Sequence, residues 1–422
     1  MARRVLMFGG SQQTMRRALA LGIEPLLLQP PEEYDEKYLP LVGDLAAVDY
    51  GDEAGVLALA RDLYNSRPFL RAVSVTEAGM LPAARVNQAL GLGGNPVSAV
   101  ERLKDKASMR RLLNGIGLSP VAAAETRDAA GIARFGAEYG YPVIVKPPDA
   151  SASVGVSKVD GPAGVEAAWR RATGSGGHRV LVEEYLTGPE ISVEAFSYGP
   201  GRHHVVAFTA KTTLPNFVEI GHVVPAELSA GDARLVAGLV TALLNAVGHR
   251  DGPSHTEVKL TAAGPRIIES HNRQGGDRIT DLVELVHGVD LIALMLAWAT
   301  GQAAEWAAPP PARGAAAIRF LTPPPGLLTT ITGADEVRTW EGVVDVQLAL
   351  TPGDPIPTVQ SSRDRAGHVL TVAETIAAAT TLASAATNHI HFHTMVWAGR
   401  TGPGGQPLEG DQQSGDHKER TR

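Results

Sequence analysis

Two spacings of apolar residues take turns along the chain. Residues 4–9, RVLMFG, form a continuous apolar run into Gly9-Gly10-Ser11. QQTMRRALALG then carries helical spacing as far as Gly22, and GIEPLLLQ follows as the next strand. Further α/β units fit the pattern through Leu63 and again through AVSVTEAG and PAARVNQALGL, which predicts an open α/β domain over residues 1–98. The glycines of the first turn do not make G-x-G-x-x-G, so a loop lining a substrate cleft is expected there instead of a dinucleotide site.

From about Ala99 the texture changes. VERLKDKASMRRLLNGIGLSP puts Met109, Leu112, Leu113 and Ile116 on one helical side and stops at Gly117 and Pro120, and AGIARFGAEYG is another helix. YPVIVKPPDASASVGVSKV reads as a strand carrying one lysine, Lys146, then a small-residue loop from Ala150 to Gly155, then a second strand. VLVEEYLTGPEISVEAF is strand, turn and strand, and it closes a linker-and-lid unit at 99–185. Beyond it, FTAKTTLPNFVEIGHVVPAEL brings Lys211, Glu219 and His222 in segments of little helical character.

The stretch Asp251 to Arg278 reads as two strands joined by a Gly-Pro-containing turn. Alternation places Thr256, Val258 and Leu260 on one face and Glu257 and Lys259 on the other. In RIIESH, Ile268 joins the first face and Glu269 and His271 the second. ITDLVELVHGVDLIALMLAWATG is a long apolar helical region expected to cover the sheet. After a break at Pro309–Pro311, a strand-rich portion closed by a helix completes a unit over 186–398. Residues 399–422 are polar and Gly-rich and are expected to be disordered.

A length of 422 residues allows two or three domains with sizeable cores, and 44% hydrophobic with 20% charged residues is ordinary for a globular chain. No window is expected to supply the run of about 20 apolar residues that a membrane helix needs, and MARRVLMFGG leads into a strand, so the reading is cytoplasmic with no membrane partner. The absence of cysteine excludes disulfides, thiolate metal sites and a cysteine nucleophile. A net charge of −7 with interspersed charges argues against nucleic-acid binding.

The candidate chemistry sits on the strands. If the two strands after Asp251 pair, Glu257 and Glu269 come within roughly 5 Å at the backbone. Two carboxylates that close repel, and a divalent cation of the Mg²⁺ kind relieves the repulsion. A solvated strand face with two unrelated acids fits the same alternation. Lys146 and the loop after it could hold phosphate through its charge and closely approaching backbone N–H groups, or could be a hairpin with a polar tip and a snorkelling lysine. The turn after Glu183 and Glu184 could lay adenine against backbone and offer Glu190 to a ribose, or could be an acidic hairpin edge. A lone histidine such as His222 is more often structural than catalytic, but Glu219 three residues before it could line a pocket.

The order of these pieces resembles the ATP-grasp ligases over residues 1 to about 395. Three stretches, FVEIGHVVP (217–225), HTEVKL (255–260) and IIESHNRQGGDRI (267–279), together with K-x₃-R-x₂-L-x₃-G from Lys106 through Arg110 and Leu113 to Gly117, are similar to the L-amino-acid ligases, which form dipeptides. The resemblance implies an ATP-grasp fold: an N-terminal open α/β domain, a small lid and a C-terminal antiparallel-sheet domain. It implies ATP and Mg²⁺, with Mn²⁺ as a substitute, and small-molecule carboxylate and amine substrates, and it leaves a homodimer open.

By position, Lys106, Lys146 and the loop with Ser151, Ser153 and Gly155 are expected at the nucleotide phosphates. Glu183 and the backbone of Glu184 and Leu186 are expected at adenine, and Glu190 at the ribose. Glu257 and Glu269 are the expected metal ligands. Arg273 and the backbone of Gly276 would hold the carboxylate being activated, and Glu219 and His222 the amino side of the substrate pair. Two departures stand out. Where many ATP-grasp proteins have E-x-N, this chain has Glu269-Ser270-His271-Asn272, which nominates His271, or less readily Asn272, as a further ligand. Asp277 takes a position where an amino-acid ligase can carry a bulky aromatic, and it is expected either to face the donor and favour a cationic or hydrogen-bond-donating one, or to pair with Arg278 or another protein cation. Carboxylases and purine-type ligases of the same superfamily, and a nucleotide-binding protein without turnover, are the competing readings.

Overall fold

The computed structural model describes residues 3–149, 153–174 and 178–395, and all that follows concerns those residues. Ser151 and the segment 399–422 lie outside them. The chain opens with a parallel sheet in the order Asp44–Ala47, Ile23–Gln29, Arg3–Phe8, Arg71–Ser74. Its strands are continuous apolar runs because both faces are covered. Leu6, Phe8, Leu26 and Leu28 pack on one side against Val56, Ala60 and Val86, while Val5, Met7 and Leu27 share a core with Met15, Leu282 and Leu296 on the other. This second core also holds Phe196 and Tyr198 of the large sheet, so the N-terminal unit is packed directly onto the rest of the molecule.

The segment expected as one helix after Ala99 is two, Val97–Lys104 and Lys106–Gly115. Asp105 breaks it: its extended backbone and its side chain, which accepts from Ser108 N–H, cap the second helix. Met109 and Leu113 are buried as expected, but Ile116 is exposed. A lid sheet follows in the order Ala123–Thr126, Val180–Glu184, Val143–Lys146, Ser157–Val159, covered by helices Ala129–Tyr139 and Val165–Thr173. The two strands of VLVEEYLTGPEISVEAF are not a hairpin, because Val180–Glu184 belongs to the lid and Glu190–Ser197 to the large sheet. At the crossing Gly188 has φ +130°, and a Cβ there would lie 2.0 Å from the carbonyl oxygen of Leu260.

The large antiparallel sheet runs Gly264–His271, Gly252–Thr261, Glu190–Ser197, His203–Thr213, Glu219–Val224, Ala315–Phe320, Gly367–Ala373, Val343–Leu348. One face buries Ile191, Val193, Ala195 and Val258 under Val236, Val240 and Leu244 of helix Ala230–Val247. That helix is, against expectation, long and apolar enough by length and composition to cross a membrane, but Val236, Val240 and Leu244 on it are buried against this sheet and Leu243 and Val247 against helices Val97–Lys104 and Lys106–Gly115. The apolar region after Arg278 is likewise two helices, Ile279–His287 and Leu291–Ala299, bent by 88° at a break where Asp290 caps the second.

In the pair Gly252–Thr261 and Gly264–His271 the turn itself is Ala262-Ala263; Gly264 and Pro265 already belong to the second strand, which lies at the sheet edge where proline costs no ladder bond. A bulge between Glu257 and Val258 pairs Val258 with Ile267. Ile267 is therefore the fully buried residue, and Ile268, expected on the core face, turns toward the cavity with Glu269.

Candidate active site

The uncovered face of the large sheet carries its polar side chains in cross-strand rows. His271, His255 and Glu194 are register partners across three strands, and the next row is Glu269, Glu257 and Ser192. Glu190 faces Lys259, and Lys211 faces His222. Except for Glu194 and Ser192, all of these line a cavity of about 320 Å³ between the large sheet and the lid, which also brings in Lys106, Lys146, Ser153, Glu183, Glu184, Leu186, Glu219, Arg273, Gly276 and Asp277.

Every acid lining the cavity except Glu184, which accepts from a backbone N–H, has a cation beside it. Glu257 is 2.6 Å from Lys211 Nζ, which also lies 2.8 Å from Glu219 and 3.0 Å from Glu190. Glu269 is 3.0 Å from Lys106, at the first turn of helix Lys106–Gly115. Burial alone would push both carboxyl groups up; Lys211 and His255 bring Glu257 down to about 2, and Lys106 and His271 hold Glu269 well below the usual range. Both are ionised at neutral pH. Opposed in register and still partly open to the cavity, they form a hard-oxygen pair of the kind Mg²⁺ takes.

His271, nominated as a further ligand, sits between two carboxylates. Its Nε2 is 3.0 Å from Glu269 and its Nδ1 3.1 Å from Glu77, and these two carboxylates outweigh the effect of burial and raise its pKa. It stands as a bridge between two acids, with each ring nitrogen turned to a carboxylate oxygen. Asn272 points elsewhere, donating to Met80 Sδ at 3.4 Å.

Glu183 also differs from expectation. Its carboxylate accepts from Arg110 Nε at 2.7 Å and lies 2.6 Å from Lys146 Nζ, all three side chains being buried. It therefore anchors Lys146 and is not free to meet a base. The remaining Arg110 nitrogens donate to the carbonyls of Ser119 and Ile267, tying lid, helix and the strand of Glu269 together. Glu184 accepts from Ala122 N–H. Glu190 lies 3.0 Å from each of Lys211 and Lys259. Ser153 donates to the Phe217 carbonyl at 3.0 Å, and Gly155, at φ +76°, packs against the ring of Pro147.

The loop after the last strand is held from two sides. Arg273 donates to Glu77, which comes from the loop beyond Arg71–Ser74 of the N-terminal sheet, at 2.7 Å. Burial would raise the Glu77 carboxyl, but His271 and Arg273 bring it to about 2. Gly275 N–H donates to the fully buried Glu194, whose other oxygen is 2.6 Å from His255 Nδ1 and accepts from Ser192. Asp277, at φ +51°, meets Arg365 through two contacts, 2.5 and 2.7 Å, and lies 3.3 Å from His222 Nε2. Of the two roles expected for Asp277, the pairing with a protein cation is the one present, and the cation is Arg365; Arg278 pairs with Asp281 and Asp345. Glu219, His222 and Asp277 bring ligand atoms within 4.8 Å of one another, but Lys211 and Arg365 already neutralise the two acids.

Sequence reasoning left Lys211, Glu77, Glu194, His255 and Arg365 out of the site. Glu194 had a usable signal, a lone acid in the otherwise apolar or small run ISVEAF. Lys211 had the same signal in FTAKTT, whereas nothing near Glu77 or Arg365 in sequence points to their partners.

Three family models match successive parts of the chain: an ATP-grasp N-terminal domain over residues 15–94, an ATP-grasp domain over 139–281 and the L-amino acid ligase C-terminal domain 2 over 319–395. A protein of Sinorhizobium fredii, the uncharacterized protein y4rH, is 27% identical over 384 residues, covering 88% of this chain and 78% of that protein. The alanine–anticapsin ligase of Bacillus subtilis is 26% identical over 246 residues, and the alignment spans only 52% of each. The crystal structure of an L-amino acid ligase from Bacillus licheniformis superposes with a TM-score of 0.80 at 22% identity, covering 93% of this chain and 99% of that one. With the fold and three family models in agreement, the chain carries ATP-grasp domains and an L-amino acid ligase C-terminal domain, and it is similar to the L-amino acid ligases.

Proposed function

We propose that this protein is an ATP-dependent carboxylate–amine ligase that joins an amino acid to a second amino acid or another amine. One observation carries the reading: Glu257 and Glu269, in direct register, face Lys106, Lys146 and the Arg273–Gly276 loop across one cavity. Mg²⁺ held by the two carboxylates would offset the phosphate charge when bound.

The protein groups do the rest by position. Lys106 and Lys146 meet the phosphates as point charges, and Glu183 and Arg110 keep Lys146 in place. The adenine lies along the backbone of Glu184–Leu186, with Val121, Ile144 and Ile268 as apolar walls and Glu190 toward the ribose. Arg273 and Gly276 N–H hold the donor carboxylate, whose oxygen attacks the γ-phosphorus with loss of ADP. Glu219 and His222 take the amino side of the substrate pair. The acceptor amine then attacks the acyl carbon, giving up a proton as phosphate leaves. The lid over the cavity keeps water from the acyl phosphate. A phosphate-release screen over pairs of amino acids and other carboxylates and amines, with Mg²⁺ and mass spectrometry of the products, tests this. ATP-dependent phosphate release together with an amide product is expected, and no amide from any amino-acid pair would overturn it.

A further inference from the structure

The wall of the cavity beyond His222 is made by two parts of the chain 88 residues apart. Asp277 lines the cavity with Thr213, Phe217, Ile279 and Ser362, and Arg365 stands behind it. The guanidinium is fully committed in direction: Nη1 and Nη2 meet the two oxygens of Asp277, Nε donates to the Ser362 carbonyl at 2.7 Å, and Nη1 also donates to the Glu219 carbonyl at 3.2 Å. The Phe320 ring closes its flat face at 3.6 Å. The pair is bidentate and largely withdrawn from solvent, 20% and 10% exposed. Its charges cancel, so this wall offers a substrate polar surface without net charge.

We infer that Asp277 and Arg365 together set the donor specificity, closing the side-chain pocket with a neutral ion pair and so selecting an amino acid whose side chain is uncharged. This rests on the ligase reading above. It replaces the expectation of a free acid that draws a cationic donor. A charged donor side chain against this wall would find no counter-ion on it, because the pair's charges are already spent on each other. Removing one member turns the wall into a counter-ion of known sign.

The test compares wild type, Asp277→Asn, Arg365→Gln and the double variant, with the acceptor held constant and leucine, aspartate and lysine offered as donors. Product order is read by tandem mass spectrometry, and specificity is the ratio of kcat/KM values within each protein. That ratio cancels losses of activity or stability common to all donors. Wild type should prefer leucine. Asp277→Asn should raise the aspartate-to-leucine ratio, and Arg365→Gln the lysine-to-leucine ratio, each by about tenfold or more, with the double variant returning toward wild type. Should a single variant be insoluble, Asp277→Ser and Arg365→Met carry the same expectations. Equal ratios in all proteins, shifts of the same sign in both single variants, or a wild type that prefers a charged donor overturns the inference while leaving the ligase reading intact. A wild type that makes no amide product at all overturns the ligase reading, and the inference with it.

Discussion

Replacing Lys211 with methionine removes one ammonium from among three acids. Nζ lies 2.6 Å from Glu257, 2.8 Å from Glu219 and 3.0 Å from Glu190, and the side chain is 2% exposed. Burial would lower its pKa, but the three carboxylates hold it well above the ordinary lysine value, so it is charged throughout the neutral range. Each contact contributes about 6 kcal/mol gross at an effective dielectric constant of about 20, most of it offset by desolvation. Methionine keeps the acids desolvated and loses the attraction, which in buried pairs leaves a net deficit of about 3–5 kcal/mol. Because the acids retain 14–19% of their side-chain exposure, the lower end, about 3 kcal/mol, is expected.

Urea denaturation at pH 7 should show this deficit, and Lys259→Met, which removes only one of Glu190's two lysines, should cost about 1 kcal/mol or less. The deficit should shrink as pH falls below the ordinary carboxyl value of 4.5. Glu257, brought to about 2 in the wild type, contributes stability that is present above 4.5 and lost as pH falls through 2; without Lys211 there is less of it to lose. Saturating Mg²⁺ should restore more stability to the variant than to the wild type, since it supplies the missing positive charge beside Glu257. A Lys211→Met protein within about 1 kcal/mol of wild type at pH 7 would refute the charge balance drawn here.

Glu269→Gln should lower ATP-dependent phosphate release a hundredfold or more, about 3 kcal/mol, with an unchanged circular-dichroism spectrum; near wild-type turnover would remove Glu269 from the metal site. Gly275→Ala puts a Cβ 2.9 Å from His255 Nδ1 and 3.0 Å from Glu194, so the loop carrying Gly276 must shift, and kcat/KM for the donor should fall about tenfold or more. Wild-type kinetics there would show that the loop has room. His249 is fully buried and burial lowers its pKa from 6.5 to about 4, so the unfolded chain takes up its proton first. The stability it contributes is complete above pH 6.5 and declines by about 3 kcal/mol as pH falls to 4, a slope that His249→Gln should flatten in urea titrations.

The sequence by itself determined what a local period can encode. Alternation along TEVKL and RIIESH predicted that Glu257 and Glu269 share a face, and the register pairs them directly, because side chains on a strand repeat every two residues whatever the partner. The apolar runs of the first domain, alternating with helical spacing, predicted an open α/β unit for the same kind of reason, and its sheet is parallel. Local patterning reached less far where one residue interrupts a period. Asp105 and Asp290 each split a continuous apolar pattern into two helices by capping, and the bulge beside Glu257 exchanged Ile268 for Ile267 in the core.

Ionic partnership was decided by tertiary structure alone. Arg273 and Glu77 are 196 residues apart, Arg365 and Asp277 are 88 apart, and Lys211 and Glu257 are 46 apart. A charge carries no period and attracts any opposite charge that the packing brings within a few ångströms, so its partner exists only once the sheets have been packed against one another. For that reason Glu183, Asp277 and Lys146 could be placed at the site from the sequence, while which cation pairs with which acid could not.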